Sequence, residues 1–202
     1  MAYAGFWQRF GAFWVDFVVL LPLLGLSYVW GEYSRLYQIY WFIPGLLFGL
    51  WYHVYLVVRY GGTPGKLILN MRIAMVNGSP VTAKAAFLRY VVLLVLGELA
   101  AIALVVAVLR MTDEEYFALG YMARTERMVE VAPRWYQAVT ILMQVWIWSE
   151  FLTMMFNKKR RAIHDFIAGT VVLKGRRPNS AVEGDASDSV VRASPGAPHR
   201  ER

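Results

Sequence analysis

Each of the four longest apolar stretches in this sequence carries one side chain that can gain or lose a proton. These side chains belong to Asp16, His53, Glu98 and Glu150. A charged group at the centre of a membrane helix costs about 2.5–3.5 kcal/mol, so such residues usually face a bundle interior, a partner or water. At a helical rise of about 1.5 Å per residue, each lies roughly 9–13 Å from a flanking Lys or Arg. The spacing predicts that the four groups meet at one level, in a pocket near the inner leaflet.

Two interpretations of this polar set are open. Asp16, Glu98 and Glu150 could bind a proton or a small cation in a wet cavity, with His53 relaying protons. Alternatively, the same side chains hold neighbouring helices together through hydrogen bonds. A transition metal accepts such ligands, but their spacing forms no local ligand motif. We therefore expect neither a metal nor another cofactor.

The apolar stretches are long enough to cross a membrane. Hydrophobic residues make up 58% of the 202-residue chain, against about 45–50% in soluble domains. A bilayer core about 30 Å thick needs about 20 mostly apolar helical residues. Residues 10–30, 37–58, 86–109 and 135–156 meet this length. We predict an all-α membrane protein, a bundle of four transmembrane helices whose first helix is retained rather than cleaved as a signal peptide.

The distribution of Lys and Arg predicts the orientation of this bundle. Basic residues concentrate in the 59–85 loop and directly after residue 156, whereas the 110–134 loop sets five acids against four Arg. Cytoplasmic loops carry the excess of positive charge. We therefore expect both termini and the 59–85 loop in the cytoplasm, in a multi-pass protein of the cell inner membrane. The net charge of +7 follows from this topology, and no nucleic-acid partner is expected.

The composition changes near the end of the chain. Residues 175–202 are rich in Pro, Ser, Gly, Ala and mixed charges, with few large apolar side chains. Such a segment cannot bury a core, so we predict a disordered cytoplasmic tail after one transmembrane domain of residues 1–174. The chain has no Cys, which excludes disulfides and thiolate metal sites.

The 59–85 loop is more than a connector. It opens on a turn-forming motif whose members are Gly62, Thr63, Gly65 and Lys66. The spacing does not match the phosphate-binding pattern GxxxxGK[ST], so we exclude nucleotide binding and place Lys66 at the level of the lipid head groups. The stretch "LILNMRIAMV" followed by Asn77-Gly78 predicts a short β-hairpin at the membrane surface.

A second motif follows the fourth apolar stretch. The segment "AIHDFIAGTVVL" is too short to cross a bilayer and is predicted to lie along the interface or under the bundle. It returns Asp165 to the level of Arg9 and Arg89, which begin the first and third stretches. We expect an ion pair of Asp165 with one of these arginines and His164 beside it, because pairing permits burial of charge. Arg89 is also a candidate partner for Asp16.

Together these pieces resemble the RDD family of small multi-spanning membrane proteins. The matching pieces are "RFGAFWVD", "GGTPGKLILNMRI" with "NGSPVT", "LRY" and "RRAIHDFIAGTVVL". The family is named for one Arg and two Asp, which by matching position are Arg9, Asp16 and Asp165. The resemblance covers about residues 5–174 apart from the 110–134 loop, and Asn70 lies near the place of a usual glycine. It implies a membrane bundle and, as suggested for some members, cation/proton antiport.

These observations favour a small secondary transporter that couples a small cation to protons. Four spans are few for a carrier and the chain shows no internal repeat, so we expect a homodimer embedded in membrane lipids. The alternative is a non-transporting scaffold, assembly factor or lipid-interacting factor. An enzyme is not expected, because the chain has no HExxH and no Ser-His or Cys-His nucleophile pattern.

Overall fold

The structure, a computed structural model, describes residues 2–156 and 160–175. It contains helices α1 (Phe6–Tyr33), α2 (Tyr37–Leu50), α3 (Leu56–Tyr60) and α4 (Pro64–Ile68), with a π-helical segment, Trp51–Tyr55, joining α2 to α3. Strand β1 (Met71–Met75) and helices α5 (Ala83–Arg110), α6 (Asp113–Ala118) and α7 (Tyr121–Val131) follow. Helix α8 (Trp135–Phe156), helix α9 (Ile163–Ala168) and strand β2 (Thr170–Lys174) complete the described elements.

Four helical segments are long and apolar enough to cross a membrane. They are Phe6–Tyr33, Tyr37–Ile68, Ala83–Arg110 and Trp135–Phe156. Few of their side chains are fully buried in the isolated chain, because the surface that faces lipid is as apolar as the interior. The predicted four-helix membrane bundle is confirmed.

The second span contains a sharp break that matters for the site. Gly61 adopts a left-handed conformation, with φ +87°, and its N–H donates to Val57 O at 3.0 Å. This ends α3 as a left-handed glycine ends many helices. Pro64 then starts α4, where a missing N–H is harmless. The break turns α4 back so that it packs against α1.

A small sheet closes one end of the bundle. Strands β1 and β2 are antiparallel, in a register that runs from Met71 opposite Lys174 to Met75 opposite Thr170. The N-terminal segment lies on the other edge of β2, where Ala4 N donates to Val172 O at 2.9 Å. Three distant parts of the chain therefore meet at what we call the sheet end.

The prediction of a β-hairpin is wrong about the second strand, which comes from a distant part of the chain. The Asn77-Gly78 turn does form, with Gly78 at φ +86°. However, β1 pairs with β2 rather than with the residues after the turn. Pro80 has no N–H to give to a ladder, and Thr82 already caps α5 by accepting from Ala85 N at 3.2 Å.

The opposite end of the bundle is covered by α6 and α7, and we call it the cap end. Tyr116 Oη donates to Gly31 O at 3.1 Å, which ties α6 to the last turns of α1. Tyr116 also packs with Val108 and Met128 in a buried cluster. The predicted tail lies outside the described residues apart from Gly175.

Candidate functional site

Asp165 is the centre of a buried charge network at the sheet end, the Asp165 cluster, made of Arg9, Arg89, Asp165 and Thr170. Asp165 is fully buried. Arg9 Nη1 donates to its Oδ2 at 2.8 Å, and Arg89 Nη1 donates to its Oδ1. Thr170 Oγ1 adds a hydrogen bond of 3.0 Å to Oδ1. The structure thus gives Asp165 both of the arginines between which the sequence left a choice.

Local structure explains why Asp165 can occupy this place. It is the third residue of α9, and its Oδ2 accepts from Ala162 N at 3.1 Å, so it also caps the helix. Burial by itself raises the pKa of Asp165, but the charges of Arg89 and Arg9 outweigh burial and hold that pKa well below its usual range. Asp165 therefore remains ionised and serves structure rather than proton transfer.

Arg161 supports the same cluster and was missed by sequence reasoning. Its Nη2 donates to Asp165 O at 2.7 Å, and its Nε donates to Thr170 O at 3.0 Å. The guanidinium also lies 4.2 Å from the centre of the Phe166 ring. The four-residue spacing of Arg161 and Asp165 is consistent with such a contact. Arg161 also lies in a basic run, however, and such a run is equally typical of a membrane anchor.

His164 links this cluster to the bundle interior. Its Nε2 lies 2.8 Å from Arg89 Nη2, and its Nδ1 contacts Glu150 Oε2. A guanidinium can only donate, so Nε2 must accept and the proton must lie on Nδ1. Burial lowers the pKa of His164, and the charge of Arg89 lowers it further, against the raising effect of Asp165 and Glu150. The imidazole is therefore neutral, and its Nδ1 lies against Glu150 Oε2.

Asp16 has partners of a different kind. Its carboxylate accepts from Tyr52 Oη at 2.6 Å, from Thr63 Oγ1 at 2.6 Å and from Gly65 N at 2.7 Å. Within residues 2–156 and 160–175, no Arg forms an ion pair with it. The suggested pairing of Arg89 with Asp16 is wrong, because Arg89 contacts Asp165, Thr170 and His164 instead.

The glycine-rich motif supplies two of these donors, Thr63 and Gly65. A Cβ added to Gly65 would overlap the Ala12 carbonyl and the Asp16 side chain, so only glycine allows α4 to approach α1 this closely. Lys66 Nζ donates to Thr63 Oγ1 at 3.3 Å. The side chain of Lys66 lines an interior cavity of the bundle.

This cavity, which we call the inner cavity, has a volume of about 350 Å³ and is enclosed by α1, the π-helical segment, α4, α5, α8 and the start of α9. Its charged and imidazole-bearing lining residues are Arg9, Asp16, His53, Lys66, Arg89, Glu150 and His164. His53 stacks on Tyr90 with 4.4 Å between ring centres, and it lies in the π-helical segment, a local irregularity often found at functional sites. Glu150 is 9% exposed and accepts from His164 N at 3.0 Å.

The sequence model of the RDD family matches residues 3–169. The chain belongs to the RDD family. The match runs through the 110–134 loop, which the motif resemblance left out. No curated protein and no solved structure matches the chain.

Arg9, Asp16 and Asp165, which the motif resemblance matches to the positions that name the family, fall into two neighbouring groups in this protein. Arg9 and Asp165 pair directly within the Asp165 cluster. Asp16 instead receives the loop motif and Tyr52. Tyr52 was missed by sequence reasoning, since one hydroxyl-bearing ring among twelve Tyr gives no signal.

The prediction that Glu98 lies in one pocket with Asp16, His53 and Glu150 is wrong. Glu98 follows Arg89 by nine residues, which is about two and a half helical turns and places it on the opposite face of α5. It lines a separate cavity with Ser27 and Tyr37, towards the cap end. Across the described residues, no group of three or more His, Cys, Asp or Glu side chains could hold a metal ion.

Proposed function

We propose that this RDD-family protein is a secondary carrier that exchanges protons for a small cation. The observation that carries the proposal is the inner cavity, in which Asp16, His53, Glu150 and His164 share one enclosed space within the membrane bundle. Ionisable residues at such positions usually mark ion pathways and proton relays. Carboxylates serve an exchanger because protonation of a carboxylate removes the charge that holds a cation.

The charged partners of each acid indicate which acid in the cavity binds the cation. Arg9 and Arg89 both form ion pairs with Asp165. Asp16 is held only by neutral donors and keeps its attraction for a cation. Lys66 contacts Thr63, one of those donors, so a cation that binds at Asp16 would displace its ammonium group. We assign cation binding to Asp16.

Proton transfer in this proposal belongs to Glu150, and His164 holds its carboxylate in place. The backbone N–H of His164 donates to Glu150 Oε1 at 3.0 Å, and its ring Nδ1 contacts Oε2. The neutral ring has no free nitrogen to accept a proton from Glu150, so the carboxylate itself takes up and releases the proton, and the cavity connects it with His53. His53 would pass the proton on, as the sequence suggested.

The test is an exchange assay with purified protein in liposomes that contain a pH-sensitive dye. An imposed gradient of Na⁺, Li⁺ or K⁺ should change the internal pH, and Asp16→Asn or Glu150→Gln should reduce the signal to that of protein-free liposomes. Glu126→Gln, at an exposed position of α7, is the matched control and should retain the signal. Wild-type protein that exchanges none of these cations would overturn the proposal and leave the scaffold, assembly or lipid-interacting alternative.

The proposed orientation places the sheet end and both termini in the cytoplasm, as the distribution of Lys and Arg suggests. The chain has no Cys, so single introduced cysteines report sidedness directly. Asn77→Cys in the exposed β1 turn should be protected from an impermeant maleimide added to intact cells, and Glu126→Cys should react. The reverse pattern would invert the orientation.

The proposed carrier is a homodimer that joins through α8. A shallow groove on the outer face of α8 is lined by Ile141, Gln144, Val145 and Trp148, among others. Gln144 is exposed in the middle of the span, and within the described residues no hydrogen bond reaches its amide. An amide is self-complementary, so a second Gln144 across a two-fold axis would satisfy it in lipid.

The dimer can be tested by counting subunits through photobleaching of labelled protein in liposomes. Gln144→Leu should shift the population from dimer towards monomer. Gln137→Leu makes the same change two turns away, near the helix end where water can reach the amide, and should leave the dimer intact. Equal behaviour of the two variants would argue against this interface.

A further inference from the structure

Glu98 occupies a cavity of its own, which we call the outer cavity. It has a volume of about 260 Å³ and lies between α1, α2 and α5. It shares no lining residue with the inner cavity. It does share Ser27, Tyr37, Gln38 and Leu104 with a smaller cavity of about 180 Å³ under α7, which gives it a connection to the cap end.

Two acceptors in the outer cavity, the Glu98 carboxylate and Gln38 Oε1, have no partner within the described part of the chain. No hydrogen bond or ion pair reaches the Glu98 carboxylate, and no Lys, Arg or His lines the cavity. Gln38 Oε1 is buried and receives no donor. A carboxylate is costly in an apolar bundle unless a cation and hydrogen-bond donors compensate it. The cavity thus lacks a positively charged group that carries N–H donors.

Aromatic rings form much of the remaining wall. Tyr37, Trp41 and Phe42 line the cavity. Trp41 is held by an edge-to-face contact with Trp30, with 6.1 Å between ring centres. Ring faces attract organic cations, and alkylated ammonium groups are bound in this way. A hydrated metal ion would instead require a shell of oxygen ligands, which these rings do not provide.

We propose that the outer cavity binds a small organic ammonium ion. Glu98 balances its charge, Gln38 Oε1 accepts an N–H bond, and the rings of Tyr37, Trp41 and Phe42 contact its alkyl groups. This site is separate from the carrier cavity, so it can exist whether or not the protein exchanges protons for inorganic cations.

The experiment is isothermal titration of the purified full-length protein with trimethylammonium. We expect saturable binding of one ion per chain, weakened about tenfold or more by Glu98→Gln because the charge partner is lost. Trp41→Leu should weaken binding a few-fold, as loss of a cation–π contact does. Glu126→Gln and Asp16→Asn should leave the affinity unchanged, and the latter separates this site from the carrier proposal.

Three outcomes would overturn the proposal. The first is no binding by the wild-type protein up to about 10 mM ligand. The second is equal binding of tert-butanol, a neutral molecule of similar shape, which would show that charge is not recognised. The third is displacement of trimethylammonium by equimolar Na⁺, which would assign the cavity to an inorganic cation. If Glu98→Gln does not fold, Glu98→Asp and Gln38→Leu test the same site, and unchanged affinity in both also contradicts it.

Discussion

The sheet end and the cap end of this bundle both use arginine, but in different environments. At the sheet end, Arg9 and Arg89 meet Asp165, which is completely buried. At the cap end, Arg35 donates to Val108 O at 2.7 Å and to Met111 O at 2.8 Å, and its acid partner Asp113 is 71% exposed. The first arrangement depends on mutual charge, and the second depends largely on backbone carbonyls.

This difference follows from what each end must hold together. The sheet end joins the N-terminal segment, β1 and β2, which are far apart in the sequence. The Asp165 carboxylate accepts hydrogen bonds from two guanidinium groups and from the N-terminus of α9, so it can hold these segments in one arrangement. The cap, the segment between α5 and α8, is instead held to α1 and to the loop after it mainly by hydrogen bonds to backbone carbonyls at helix ends. Substitutions at the sheet end should therefore have larger effects than matched substitutions at the cap.

The largest difference is expected for Asp→Asn at the two ends. Asp165→Asn leaves two buried guanidiniums without a counter-charge, and we expect a loss of about 3–5 kcal/mol in the free energy of unfolding. Asp113→Asn, the matched control, should cost about 0–1 kcal/mol because the Asp113 carboxylate is largely exposed. Denaturation with SDS in mixed micelles would measure both. Equal costs would show that the Asp165 cluster does not stabilise the sheet end.

A smaller effect is expected when the packing beside Asp16 is disturbed. Gly65→Ala forces α4 away from the Ala12 carbonyl, and overpacking of this kind costs about 1–3 kcal/mol. Gly25→Ala in α1 meets no atom within 4 Å and should be neutral or slightly stabilising. The same denaturation assay distinguishes them. If Gly65→Ala is as stable as Gly25→Ala, the close approach of α4 to α1 is not required.

The sequence alone was sufficient for the spans and for part of the Asp165 cluster. Length and hydropathy determine a transmembrane helix almost without context, which is why the bundle was predictable. The pairing of Asp165 with Arg9 or Arg89 followed from the position of basic residues at the starts of spans. A span can be predicted from the residues of one segment, and the ion pair can be predicted from the depth of its members relative to the ends of the spans.

The rest depends on non-local geometry. The Asn77-Gly78 turn is a local signal, whereas the pairing of β1 with β2 joins segments almost a hundred residues apart. Glu98 was assigned by depth alone, and depth does not say which face of α5 it occupies. The contact of Tyr52 with Asp16 depends on how α2, through its π-helical segment, is rotated against α1. Such rotations are set by packing and leave little trace in one sequence.

The smallest expected effect is a dependence of stability on pH. It arises at the sheet end, where the imidazole of His164 joins the Asp165 cluster to the inner cavity. Its pKa is lowered in the folded protein by burial and by Arg89. The unfolded chain therefore binds the proton more readily below its ordinary pKa of about 6.5. Stability should be complete above that pH and should decrease as the pH falls below it.

His164→Gln should flatten this decrease, since a glutamine oxygen can still accept from Arg89 but does not titrate. Denaturation of both proteins between about pH 5 and pH 8 would measure the change. Parallel profiles of wild type and variant would show that the neutral imidazole is not what connects Arg89 to Glu150. Stability that rises as the pH falls would mean that the folded protein favours the imidazolium, and the assignment of the Nδ1 proton to a neutral ring would then be wrong.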